Sequence, residues 1–254
     1  MRLSVVIAAS NNASLLMQCL SSVEKQIDAH GAEVIVASNY DEEVQDMIRR
    51  RFPQVKYLAC PPGKTVPELR VEGIAHAAGD IIALAEDHCI FDEDWVAEIM
   101  KAHERSCPVV GGPVENTISQ DCLAWAVYFV EYGKYMLPLK GGVVDSLSGN
   151  NVSYKWSLLE QTKDCLRDGF FETFFHRELR RRDYLLYLTP TAIVYHNKNY
   201  EIKNVLGQFY HHGRSFAGIR VSRVAALKRF SFIVGSLILP VLIPLRIVAS
   251  VMRK

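Results

Sequence analysis

The sequence predicts an α/β protein, a doubly wound mixed but mainly parallel sheet followed by a C-terminal, membrane-associated helical tail. Three observations predict it. Short apolar runs of strand length alternate with helix-periodic segments through the first hundred residues, the pattern of repeated βα units. Charged and imidazole side chains gather where the fourth such run ends, the place where open α/β sheets bind ligands. Finally, residues 230–252 form a nearly uncharged stretch at the far end of the chain.

Taken in order, LSVVIAA reads as a buried strand, and ASLLMQCLSSVEKQI places Leu16, Leu20, Val23 and Ile27 on one helical face. EVIVAS is a second strand, EEVQDMIRRRF a short helix and VKYLAC a third strand. PELRVEGIAHAA is a helix opened by Pro67, where the missing N–H costs nothing, and IIALA is a fourth strand. Right-handed crossovers then give a parallel arrangement. After Val109 the regularity loosens: a turn at GGPVEN, the aromatic stretch WAVYFVEYGKYM, a Gly-rich loop around Gly141, SGNNVSY, and a helix from near Trp156. FFETFFHRELRRRDYLLYLTPTAIVYH reads as helix, strand, turn and strand.

Composition bounds the function. With 254 residues, 49% of them hydrophobic, the chain can bury a substantial core, and a net charge of +1 gives no general pull toward nucleic acid. The charge is uneven, however: from Arg214 onward there are basic residues and no acidic ones, an asymmetry that favours an anionic membrane surface. Six cysteines without a CxxC pair support neither a zinc knuckle nor a disulfide framework, so reduced thiols are expected. The N-terminus enters a strand at once and lacks a signal-like apolar run, which places the expected catalytic portion in the cytoplasm. In FSFIVGSLILPVLIPLRIVASVM, about 20 residues suffice to cross a bilayer, but Pro240, Pro244 and Arg246 interrupt the run. Lys228 and Arg229 before it and Arg253 and Lys254 after it give no orientation. A span, a re-entrant or interfacial segment, and a buried terminal helix all stay open.

The chemistry centres on Glu86, Asp87 and His88, delivered together at the end of IIALA. Such a cluster can hold a cation against a diphosphate, although acidic residues also follow strands simply because Asp92 and its neighbours cap the next helix.

Several segments occur in an order that resembles the family 2 glycosyltransferases with the A-type nucleotide-sugar (GT-A) fold, over about residues 3 to 218. SVVIAASNN is similar to that family's first motif, RVEGIAHAAGDIIAL to the segment before its metal motif, and AEDHCIFDEDW to its aspartate-rich region. SGNNVSYKWSLL is similar to its acceptor-side GNN segment, and Phe171-Glu172 falls on its ED pair, ahead of RRRDYLLYLTPTAIVYH. The resemblance implies a transferase domain over 1–218, with a donor half of about 1–112 and an acceptor half of about 113–218, and a membrane-associated tail over 219–254. It implies an inverting enzyme that moves a sugar from a nucleoside-diphosphate sugar to a hydroxyl of a lipid-linked or cell-envelope polysaccharide acceptor. With the tail, it would sit at the cytoplasmic face of the inner or plasma membrane.

By the same resemblance, Ala8, Ser10, Ser38, Arg70, Glu86 and Asp87 contact the donor. His88 and Asp87, with His196, hold a divalent metal (Mn2+ or Mg2+). Asn150 and Asn151 face the acceptor, and His211, His212 and Arg214 approach the donor phosphates. Glu172 is the base, its pKa expected to be raised by desolvation among Phe170, Phe171, Phe174 and Phe175, with Asp168 and Glu115 the next carboxylates. Bland readings stand beside these: a helix-start carboxylate for Glu172, a turn for Gly149-Asn150, a structural histidine for His196. Departures are Ala8 where proline is common, Ser38 at the base-reading aspartate, His88 where aspartate is usual, and no tryptophan like that of the processive QxxRW motif. They keep alive a non-catalytic nucleotide-sugar-binding or scaffold protein. A dinucleotide fold is disfavoured because no GxGxxG follows the first strand.

Overall fold

The computed structural model describes residues 1–10, 12–118, 120–167, 169–221, 224 and 226–252. Its strands are β1 (Leu3–Ala9), β2 (Glu33–Ser38), β3 (Lys56–Ala59), β4 (Ile81–Glu86), β5 (Cys89–Phe91), β6 (Val109–Gly111), β7 (Val114–Asn116), β8 (Gly142–Val144), β9 (Val152–Lys155), β10 (Leu186–Leu188) and β11 (Val194–His196). Its α-helices are α1 (Ala13–His30), α2 (Glu42–Arg51), α3 (Val66–Ala75), α4 (Trp95–His103), α5 (Cys122–Glu131), α6 (Trp156–Gln161), α7 (Glu172–Arg181), α8 (Ile202–Val221), α9 (Ala226–Ser236) and α10 (Leu239–Val251). Two compact units form: Met1–Thr117 with Tyr135–Asn197, and Ile118–Lys134 with Lys198–Lys254.

Among the described residues, the first unit carries an eight-stranded sheet in the order β3-β2-β1-β4-β9-β6-β10-β8 and a small sheet in the order β5-β11-β7. The βα alternation of the first ninety residues gives parallel pairing of β1 with β2 and β4, and of β2 with β3. β1 is buried along its whole length and β4 as far as Ala85, as strands covered on both faces must be, which is why they read as continuous apolar runs. β9 then enters antiparallel between β4 and β6, so the sheet is mixed as expected. β6 and β9 were not expected as strands, β7 lies in the stretch expected as a turn at GGPVEN, and two further short strands lie in stretches expected as loop. The Gly-rich loop around Gly141 contains β8, a three-residue edge strand with Val143 exposed, and the acidic stretch contains β5. Neither is long enough to show a period of two.

Local rules explain the helix ends. Asn12 caps α1 by accepting from Leu15 N (2.9 Å), and Gly31 closes it in the left-handed region at φ 61°. Thr65 and Glu68 form a capping box at α3, with Pro67 in its first turn.

In the second unit, α5 and α10 pack together. Among the described residues no single helix is long and apolar enough to cross a membrane. Lys228–Ser236 and Leu239–Ala249 reach that length and composition only as a pair bent by 66°. The break precedes Pro240 in the first turn of α10, and Pro244 lies inside that helix.

Candidate active site at the carboxyl end of β4

Three segments converge on the exit of β4. Arg70 projects from α3, one turn beyond Pro67. The start of α7 is tied to the same turn, because Phe170 N donates to Pro67 O (2.9 Å). Gly169 makes that approach feasible: its φ is 102°, and a Cβ there would lie 3.0 Å from Pro67 Cβ. The third segment is the turn before β9, held at the level of the β4 exit because Val152 pairs with Leu84.

The result is one cation between two carboxylates. Arg70 Nη2 donates to Glu86 Oε1 (2.7 Å) and Nη1 to Glu172 Oε2 (3.0 Å). The Arg70 side chain is 5% exposed, Glu86 18% and Glu172 31%. A Cβ at Gly149 would come within 2.8 Å of the Glu172 carboxyl carbon and 3.0 Å of Arg70 Nη2, so only glycine leaves the pair its room. Burial pushes the Glu172 carboxyl up, but Arg70, the backbone N–H at the helix start and His176 outweigh it and hold the group below the ordinary glutamate range. This corrects the expectation of a raised pKa: burial does act upward, but the charge beside the carboxyl wins.

Beside this cluster, Asp87 ties together the exits of three strands. Its Oδ2 accepts from Ser10 N (2.9 Å), after β1, and from Tyr40 Oη (2.8 Å), after β2. His88 Nδ1 lies 3.7 Å from both Glu86 Oε2 and Asp87 Oδ1. Because β5 pairs antiparallel with β11, with His196 opposite Cys89, His196 is brought edge-on to His88 at a centroid separation of 4.8 Å. Among the described residues no three His, Cys, Asp or Glu side chains stand in ready ligating geometry. The donor chemistry nonetheless fits a divalent ion completed by ligand oxygens. Two imidazoles beside carboxylates suit manganese better than magnesium, which prefers oxygen alone.

Other expected contacts fall elsewhere. Ala8 is buried with Ala37 and Leu69, so its side chain is core and cannot touch a donor. Ser38 is fully buried and its hydroxyl accepts from Tyr40 N (3.1 Å); it shapes the loop and does not read a base. Asn151 is fully buried with its amide committed: Nδ2 donates to Pro113 O (2.7 Å) and Ala192 O (2.8 Å), and Oδ1 accepts from Trp95 Nε1 (2.9 Å). It bolts the sheets together and does not face an acceptor. Asn150 accepts from Ser148 Oγ (2.6 Å), while its Nδ2 is buried without a protein partner. Glu115 receives Leu137 N (2.5 Å), and Asp168 lies outside the described residues. His211, His212 and Arg214 are exposed on α8 in the second unit. Tyr40 went unnoticed in the sequence, although its place in VASNYD, just past a strand end, was a usable signal. The buried Tyr154–His176 pair (2.6 Å), one turn along α7 from Glu172, had none.

A mixed sheet with a metal-suited, acidic exit at β4 defines the class: a nucleotide-sugar transferase fold of the A type. The chain belongs to glycosyl transferase family 2, whose pattern matches residues 4–161. A 125-residue stretch is 26% identical to human (Homo sapiens) polypeptide N-acetylgalactosaminyltransferase 16, covering 48% of this chain and 22% of that protein. Similar solved structures include GalNAc-T7 with UDP, GalNAc and Mn2+, with a TM-score of 0.62 and 13% identity over 78% of this chain and 44% of that one. The Pyrobaculum calidifontis mannosyltransferase PcManGT, in complex with GDP-Man and Mn2+, gives a TM-score of 0.59 and 14% identity over 98% of this chain and 73% of that one. The S. aureus TarS fragment 1–349 gives a TM-score of 0.55 and 12% identity over 78% and 60%. The family and the A-type fold expected from the motifs are thus borne out.

Proposed function

We propose that this protein transfers a sugar from a nucleoside-diphosphate sugar to a hydroxyl of a lipid-linked or cell-envelope polysaccharide acceptor, with inversion at the anomeric carbon. The observation that carries the reading is the meeting of Glu172, Arg70 and Glu86 at the exit of β4, beside the His88–His196 pair. Glu172 takes the proton of the acceptor hydroxyl as its oxygen bonds to the anomeric carbon, and the bond to the diphosphate breaks on the opposite face. Arg70 and the start of α7 keep that carboxylate ionised at neutral pH. His88 and His196, with Asp87 Oδ1 beside them, would hold a divalent ion, which when bound neutralises charge on the departing diphosphate. Arg70 and Glu86 would orient the donor, and Asn150 would brace the turn on the acceptor side. The functional division is a transferase domain over 1–218 and a tail over 219–254 that attaches it to the cytoplasmic face of a membrane.

A thermal-shift series with UDP, GDP and their sugars, each with and without Mn2+, tests the donor half of this reading. A ligand of the native state raises the melting temperature by mass action, so a manganese-dependent rise is expected with at least one nucleotide. His88→Ala should weaken that binding by about tenfold, roughly 1.4 kcal/mol. A chain indifferent to every nucleotide at millimolar concentration is not a nucleotide-sugar transferase.

A further inference from the structure

We propose that Arg70 is a positioning residue for the transfer: one buried guanidinium, shared by Glu86 at the end of β4 and Glu172 at the start of α7, fixes the direction of the base and its distance from the donor side. The inference rests on the reading of Glu172 as base and adds to it the residue through which that base is held.

The geometry calls for an arginine. The two carboxylates come from segments 86 residues apart and engage different nitrogens of one planar group, which a single lysine ammonium cannot span with the same directionality. Arg70 engages only Oε2 of Glu172, and its Nη1 also reaches Phe170 O (3.5 Å), so side chain and helix start are anchored by the same nitrogen. Arg70 Nε is buried with no protein partner. Against a 5% exposed cation, the balance of two carboxylates leaves the cluster one negative charge in excess, the sign that suits a site receiving a metal cation beside it. The groups facing Glu172 are Arg70 from α3, His176 on its own helix, Tyr154 from β9, whose hydroxyl meets His176 at 2.6 Å, and Glu86 through Arg70. Gly149 closes the remaining side with backbone alone. Removing Arg70 therefore removes the largest influence holding Glu172 ionised, and the proton-binding carboxylate becomes both more basic and less well aimed.

The test is a carboxyl-carbon NMR titration of the full chain carrying 13C-labelled glutamate, the Glu172 signal being the one lost in Glu172→Gln. In the unaltered protein Glu172 should titrate below an ordinary glutamate. Arg70→Gln should raise that midpoint by more than one pH unit, and Arg70→Lys, which restores a charge but cannot engage both carboxylates in the same way, should bring back only part of it. An unmoved midpoint in a folded Arg70→Gln protein overturns the proposal. Should that variant fail to fold, Glu86→Gln decides: freed of its competitor, Arg70 closes on Glu172 and the midpoint falls further, whereas a constant or higher midpoint overturns the tether. Failure of the base reading looks different. There Glu172→Gln keeps normal release of nucleoside diphosphate from the donor while the Arg70 titration effect remains.

Discussion

Glu172 illustrates how one neighbour decides a residue's chemistry. Among four phenylalanines a carboxyl would be expected to hold its proton, yet a guanidinium at 3.0 Å reverses the sign. Glu172 is thus ready at neutral pH to receive a proton, and it loses that capacity only as the pH falls through its lowered folded value. Glu172→Gln preserves shape and one hydrogen bond but cannot accept the proton. Turnover of the donor should fall by roughly 10²- to 10⁴-fold, with little change in donor affinity. Near-normal turnover would transfer the role to another carboxylate, and the measurement is nucleoside diphosphate release at saturating donor. What was legible here was the residue, because motif order placed Phe171-Glu172. Its partner was not legible, because Arg70 lies 102 residues earlier and no local pattern joins them.

Elements show the same limit from another side. β1, β2 and β4 were readable as unbroken apolar runs of strand length, buried on both faces, and α1 by the helical spacing of its buried side chains. β5 and β7, which flank the expected strand β11, have three residues each and owe their existence to pairing with it. They depend on Gly112, where a Cβ would fall 1.8 Å from Ala192 O and 2.9 Å from Asn151 Nδ2. Gly112→Ala must therefore push the β11 side away and break the Asn151 bolt. A loss of about 3 kcal/mol or more in urea unfolding is expected, against about 1 kcal/mol for an average substitution; a neutral result would show that this junction is not tightly packed.

α4 contributes a pH dependence of its own. His103 is buried, its Nε2 against Ser153 Oγ (2.8 Å) and its Nδ1 without a protein partner, and burial, with Lys155 adding to it, depresses its pKa to about 4. Its ordinary value is 6.5. Between those values the unfolded chain binds the proton and the folded chain does not. The contribution is therefore complete above pH 6.5 and is lost as the pH falls toward 4. From pH 7.5 to 4.5 the loss amounts to about 2 kcal/mol. His103→Gln should flatten that part of the stability curve, read as the difference in urea unfolding free energy at the two pH values. An equal fall in both proteins would assign the acid sensitivity to other groups.

At the scale of the whole molecule, the asymmetry of the chain is its most unusual property. No acidic residue occurs after Glu201, while Lys228, Arg229 and Arg246 are accompanied by an apolar surface that includes Phe230 at 63% exposure, Leu237 at 78% and Leu245 at 61%. An apolar surface beside cationic residues is the combination that an anionic bilayer would match. The two helices meet at a 66° bend just before Pro240 and do not form one straight helix. The composition was fully legible in the sequence; the bend was not, since two prolines permit either a kink or a break. Full-length protein should therefore float with vesicles containing phosphatidylglycerol and much less with phosphatidylcholine alone. The double change Lys228→Gln and Arg229→Gln removes about 2 kcal/mol of surface attraction, or roughly thirtyfold in partitioning. Leu242→Asp should weaken flotation on both vesicle types, because it acts on insertion and not on attraction. A full-length chain that stays monodisperse without detergent and sediments apart from anionic vesicles would make these helices a cover for protein, and the acceptor would then need no lipid.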